Sequence, residues 1–67
     1  MYIQAYDSYS DDDTKEQLWA LLKHGDAGFI SDRRGGCIRF FIPERLVPFA
    51  LLIDSTLIRK PKEDYIA

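Results

Sequence analysis

Residues 27–43, AGFISDRRGGCIRFFIP, decide the fold of this chain. Two apolar runs, Phe29-Ile30 and Ile38–Ile42, flank a polar link, DRRGG, that ends in two glycines. Aromatic and β-branched residues favour strands, and glycine supplies the positive φ that tight turns need. The stretch therefore predicts a β-hairpin whose tip carries Arg33 and Arg34.

One strand and one helix are predicted before this hairpin. Residues 2–6 alternate with period two, which is typical of a strand. Residues 12–24 predict an amphipathic helix, because leucines recur at helical spacing and acidic residues occupy the first turn. Gly25 suits the left-handed position that follows many helices.

Two interpretations remain open for residues 44–59. A stripe of apolar residues favours one helix, although Pro48 would break an internal hydrogen bond unless it lies in the first turn. Two short strands, Phe49–Ile53 and Leu57–Arg59, are the competing interpretation. We favour the helix and expect residues 61–67 to form a loose tail.

These elements predict one α+β domain, residues 1–67, in the order β-α-β-β-α. The N-terminal strand and the central hairpin form a small antiparallel sheet that packs against one or two helices. The predicted core consists of Ile3, Leu18, Leu21, Leu22, Ile30, Ile38, Phe40, Ile42, Phe49 and Ile53.

The chain is short, and the usual covalent and metal staples are not expected. A domain of 67 residues buries only about 60% of the surface that its unfolded chain exposes. Cys37 is the single cysteine and His24 the single histidine, so neither an intrachain disulfide nor a Cys/His zinc cluster can form. We expect no metal and no cofactor, and we expect association with another chain to add stability.

The N-terminal ten residues contain no basic residue and no long apolar run, so we expect no signal peptide. The longest strongly apolar run, Phe49–Ile53, is too short to cross a bilayer. With a single thiol as well, the sequence predicts a cytoplasmic protein that does not enter a membrane.

The net charge of −2 is unevenly distributed along the chain. Up to Asp32, seven acidic residues face two basic ones, whereas from Arg33 onward seven basic residues face four acidic ones. Proteins that rely on nonspecific phosphate attraction usually carry a positive excess. Any contact with nucleic acid would therefore have to be local.

The sequence does not predict an enzyme. His24 lies where a helix C-terminus favours a basic residue, and Cys37 opens a strand beside two glycines. Asp11, Asp12 and Asp13 are explained by helix capping, and they lack the spacing and the glycine of a calcium loop. An acidic patch that binds a basic groove is the next interpretation of these three aspartates.

Several side chains are candidates for binding a partner. Two guanidinium groups at a hairpin tip can hold a phosphate or a carboxylate, and exposed aromatic residues are common in protein interfaces and also stack on bases. The candidate partner-binding residues are Arg33, Arg34, Arg39, Phe41, Tyr2, Tyr6, Asp11, Asp12 and Asp13.

The leading hypothesis is a non-enzymatic protein-binding module, an adaptor or a small stoichiometric inhibitor of a larger protein or complex. Small acidic proteins of mobile genetic elements often work in this way. The alternative is a small nucleic-acid-binding domain that uses Arg33, Arg34 and exposed aromatic residues. Because residues 49–53 are apolar on every side, we also expect a homodimer with Leu51 and Leu52 at its interface.

Overall fold

The computed structural model describes residues 2–26 and 31–66. Its elements are strand β1 (Tyr2–Ser8), helix α1 (Asp12–His24), strands β2 (Ser31–Arg34) and β3 (Cys37–Pro43), a 3-10 turn (Glu44–Leu46), helix α2 (Val47–Ile53), strand β4 (Ile58–Arg59), a second 3-10 turn (Pro61–Glu63) and strand β5 (Tyr65–Ile66).

All the strands belong to one antiparallel sheet with β1 at its centre. The strand order is β2-β3-β1-β4, and β5 pairs with β1 beside β4. The longest ladder joins β1 to β3, from the pair Ile3 and Pro43 to the pair Ser8 and Ile38. The predicted α+β class with a small antiparallel sheet is confirmed, and β1 extends two residues beyond the predicted strand.

The predicted hairpin is present, and the described part of its first strand is Ser31–Arg34. Ser31–Arg34 pairs with β3, and Gly35 and Gly36 alone form the loop between Arg34 and Cys37. Gly35 has a φ of +54°, which L-residues with a side chain adopt only with strain. Phe29-Ile30, the expected first strand, lies outside the described residues, as does the predicted core residue Ile30.

Helix α1 has the predicted bounds. The Asp11 carboxylate accepts a hydrogen bond from the Thr14 backbone N–H at 2.9 Å, which satisfies one of the free donors of the first turn. The prediction for Gly25 was wrong, because its φ is −79° and the left-handed conformation falls on Asp26, with a φ of 57°. Gly25 is instead needed for space, since a Cβ there would overlap the Leu46 Cδ1 atom.

The two faces of the sheet are buried by different parts of the chain. Alternation along β1 and β3 directs one set of side chains towards the helices, where they form the main core. Its buried members are Tyr6, Leu18, Leu22, Ile38, Phe40, Ile42, Leu46 and Ala50. Ile3 is buried as predicted, but it lies on the opposite face of the sheet.

Residues 44–59 follow neither interpretation completely. A helix forms only over Val47–Ile53, with Pro48 in its first turn, and residues 58–59 add a short strand to β1. Ala50 faces the core and is fully buried, so Phe49, one residue earlier on the helix, points away and is 55% exposed. The prediction of Phe49 as a core residue was therefore wrong.

The C-terminal segment is not the loose tail that was expected. Pro61–Glu63 forms a 3-10 turn, and Tyr65–Ile66 pairs with the start of β1. The Tyr65 ring lies 5.7 Å from the Phe41 ring, measured between centroids, on the side of the sheet away from the helices. This segment therefore covers part of the face of the sheet that points away from the helices.

Gly25→Ala is expected to lower the free energy of unfolding by about 1–3 kcal/mol, because the added Cβ would force the buried Leu46 side chain to move. Gly36→Ala is the matched control, since no atom lies within 4 Å of the added Cβ and the backbone φ is not positive. Urea denaturation of both variants measures the difference. Equal stabilities would contradict the close approach of Gly25 to Leu46.

Candidate protein-interaction surfaces

Helix α2 exposes a group of large apolar side chains, here called the α2 patch: Phe49, Leu51 and Leu52. Their exposed fractions are 55%, 38% and 84%, respectively. The helix, VPFALLI, contains no charged residue, and its seven residues have only Ala50 fully buried in the core. Several large apolar side chains exposed on one short helix are typical of a site that binds another protein.

Arg33 and Arg34 cannot bind one phosphate or carboxylate together, as the sequence suggested. Both lie in β2, where successive side chains point to opposite faces of a sheet. Arg34 is held by Asp32 at 3.0 Å, on the face away from the helices. Arg33 is exposed and points to the side of the sheet that the helices cover. The two guanidinium groups therefore lie on opposite faces of the sheet.

Arg39 is occupied by an ion pair within the chain. Its Nε and Nη2 atoms donate to the two carboxylate oxygens of Asp7 at 2.6 and 3.1 Å, and both side chains are largely buried. Glu63 lies 3.7 Å from a further nitrogen of the same guanidinium. Hydrogen bonding from Arg39 lowers the pKa of Asp7 below its ordinary value. Arg39 therefore stabilises the fold and offers little of its charge to a partner.

The candidate aromatic residues also have structural roles. Tyr6 is buried in the main core, and its hydroxyl donates to the Gln4 side chain at 3.1 Å. Phe41 is half-buried against Tyr65. Tyr2 remains 41% exposed, but its hydroxyl donates to the Asp64 carboxylate at 2.6 Å. The expected set of exposed stacking rings is therefore not brought together.

The three consecutive aspartates are all exposed, and the first of them caps α1. Asp11 caps α1, and its hydrogen bonds with Thr14 lower the pKa of the carboxyl group. Asp12 and Asp13 lie in the first turn of the helix and are exposed. Capping accounts for Asp11, and all three carboxyl groups remain on the exposed surface.

Asp64 accepts four hydrogen bonds from three residues and was missed by sequence reasoning. Its carboxylate accepts hydrogen bonds from the Ala5 backbone N–H at 2.9 Å, from the Tyr2 hydroxyl and from both terminal nitrogens of Arg59, at 2.6 and 2.5 Å. The Arg59 guanidinium holds the pKa of Asp64 far below its ordinary value. Arg59 lies five residues before Asp64, but Ala5 and Tyr2 lie 59 and 62 residues away in the sequence, so no local pattern identified the whole site.

Asp54 forms a second buried polar cluster that the sequence did not reveal. The carboxylate accepts from the hydroxyls of Ser8, Ser10 and Thr56 at 3.1, 2.5 and 2.5 Å. Burial alone would raise the pKa of Asp54, but the hydrogen bonds from Ser10 and Thr56 outweigh it and lower the pKa. The cluster joins the end of β1 to the end of α2. The hydrogen bonds that the Asp54 carboxylate accepts therefore stabilise the fold.

Cys37 and His24 lie apart from each other in the fold. The Cys37 side chain is buried, and its thiol donates to the Arg34 backbone oxygen at 3.3 Å. His24 is exposed in the last turn of α1. Within residues 2–26 and 31–66, no three histidine, cysteine, aspartate or glutamate side chains are grouped as metal ligands. In the same ranges, neither helix has the length and apolar character needed to cross a membrane.

Comparison with known proteins gives no relative. No protein-family model matches the chain, and neither a curated protein nor a solved structure shows significant similarity to it.

Asp64→Asn is expected to lower the free energy of unfolding by about 2 kcal/mol at pH 7, because the neutral amide cannot satisfy the Arg59 guanidinium. The folded-state pKa of Asp64 lies below the unfolded value of about 3.9, so this contribution is complete above that value and is lost as the pH falls towards the folded-state pKa. The difference between wild type and variant should therefore shrink at pH 3.

Urea denaturation at pH 7 and pH 3 measures both effects. Glu16→Gln, which removes an exposed carboxyl group of α1, is the control and should change stability by less than about 0.5 kcal/mol at pH 7. An Asp64→Asn variant as stable as wild type at pH 7 would show that the carboxylate does not hold the C-terminal segment.

Proposed function

We propose that this chain is a non-enzymatic protein-binding module that acts as an adaptor or a stoichiometric inhibitor and docks through the α2 patch. The observation that carries the proposal is the exposure of Phe49 and Leu52, which lie three residues apart and therefore on one side of the helix. Burying these two side chains in a partner would remove a large apolar surface from water. A helix that lays apolar side chains into a groove of its partner is a common way for proteins to recognise each other.

The placement of the charged residues supports a protein partner over nucleic acid. The alternative function required a basic surface formed by Arg33, Arg34 and Arg39. Two of these three arginines are paired with carboxylates, and the chain as a whole is acidic. A nucleic-acid-binding domain would show affinity that falls steeply with salt and weakens when Arg33→Ala and Arg34→Ala are combined.

A catalytic role is not part of the proposal. A nucleophile needs a base within hydrogen-bond reach, and His24 lies in an exposed helix end while Cys37 is buried in a strand. The thiol is engaged with the Arg34 backbone oxygen. These surroundings support structural roles for both residues.

Leu52→Glu is expected to reduce capture of the partner by at least about tenfold, because the charge would be buried in an apolar contact. The same change should alter stability by less than about 0.5 kcal/mol, since Leu52 is 84% exposed. Immobilised wild type and variant, compared by quantitative mass spectrometry of the proteins that they retain from a cell extract, provide the measurement.

Ile66→Glu is the matched control, because Ile66 is 81% exposed but lies in β5 rather than in α2. It should retain the proteins that wild type retains. If both variants retain the same proteins as wild type, the α2 patch is not the docking surface.

We also propose that two copies associate through the α2 patch when no partner is bound, with Leu51 and Leu52 at the two-fold contact. A second copy and a partner would then compete for the same surface. Sedimentation equilibrium at micromolar concentrations should give a mass above the monomer's 7.8 kDa, and Leu52→Glu should return the mass to that value. A wild-type monomer over the whole concentration range would exclude the homodimer. The patch would then be free for a different protein.

A further inference from the structure

Strand β2 lies at the end of the sheet, with one edge that no described strand covers. The sheet order begins with β2, which pairs with β3 alone among residues 2–26 and 31–66, and all four of its residues are exposed. Within the described ranges, no backbone group bonds to the outer side of this strand. Such an edge is a template on which another extended segment can pair.

The register shows which backbone groups are available there. Arg34 and Cys37 flank a two-residue loop and form a hydrogen-bonded pair, so Asp32 and Arg34 direct their backbone groups towards β3. Ser31 and Arg33 therefore direct theirs outward. The same alternation holds at β1, where Ala5 bonds on the side away from β3, to Lys60 and Asp64.

The edge is held in place and carries one unpaired charge. The Trp19 indole N–H donates to the Ser31 hydroxyl at 2.9 Å, which ties the start of β2 to α1. Asp32 and Arg34 neutralise each other at 3.0 Å, whereas Arg33 forms no ion pair with any described residue. Opposite charges facing each other across antiparallel strands are stabilising, and like charges are not.

We propose that the β2 edge binds an extended segment of another protein that places an acidic residue opposite Arg33. The segment adds to the sheet as an antiparallel strand, with backbone hydrogen bonds at Ser31 and Arg33 and a cross-strand ion pair at Arg33. A second copy is a poorer occupant, because two-fold pairing within β2 sets Asp32 opposite Asp32 or Arg33 opposite Arg33. This site is separate from the α2 patch.

An NMR titration with two capped peptides, Thr-Val-Glu-Val-Thr and Thr-Val-Lys-Val-Thr, tests the proposal. The glutamate peptide should bind about two- to tenfold more tightly than the lysine peptide. Its binding should shift the Ser31 and Arg33 amides and slow their hydrogen exchange, while the Asp32 and Arg34 amides, already bonded to β3, change less. Arg33→Glu should reverse the peptide preference.

Two control variants separate this site from other effects. Lys62→Glu makes the same change in net charge at an exposed position of the second 3-10 turn and should leave the preference unchanged. Leu52→Glu should bind the glutamate peptide as wild type does, whether or not the α2 patch docks a partner.

Four results would overturn the proposal. The first is equal affinity for the two peptides, and the second is a set of peptide-induced shifts centred on α2. The third is a shift of the β2 amides that depends on protein concentration alone. The fourth is that oligothymidylate binds at Arg33 more tightly than the glutamate peptide does. The third would assign the edge to a second copy, and the fourth would assign it to nucleic acid.

Discussion

The antiparallel ladder between β1 and β3 is the interaction on which the rest of the structure depends. Six residue pairs join these strands, and each of the other described strands pairs with one of the two. Because alternate side chains leave the ladder on opposite sides, the helices cover one face and the C-terminal segment covers part of the other. A chain of this size can bury a central strand only by using nearly all of its length in this way.

Carboxylates with little exposure to solvent stabilise contacts that apolar packing would stabilise in a larger domain. Asp7 pairs with Arg39 on the outer face, Asp54 joins the ends of β1 and α2, and Asp64 fastens the C-terminal segment to β1. Each has its pKa lowered by hydrogen bonds to the charged form, so each stabilises the fold most above the ordinary carboxyl pKa. Loss of one partner would leave a buried charge or donor unsatisfied.

These internal pairings also determine which surfaces remain for binding. They engage Arg39, Arg34 and the Tyr2 hydroxyl, which the sequence offered as partner-binding groups. Two of the surfaces that remain exposed are the apolar side of α2 and the edge of β2 with Arg33. The two surfaces have different chemistry, one apolar and one made of backbone groups beside a positive charge, so they would select different segments of a partner.

The sequence by itself determined the elements whose signals are local. The bounds of α1 follow from its leucine spacing and acidic first turn, the hairpin loop follows from Gly35 and Gly36, and the exposure of Leu51 or Leu52 follows from an apolar run too wide for one core face. Tertiary structure alone decided the positions of Phe49, Asp64 and Gly25. The rotation of α2 about its axis places Ala50 in the core and leaves Phe49 exposed. Asp64 accepts hydrogen bonds from residues of β1 and β4, and Gly25 leaves space for the Leu46 side chain. Contacts between residues far apart in the chain leave no periodic trace in the sequence, because they depend on how the elements are packed together.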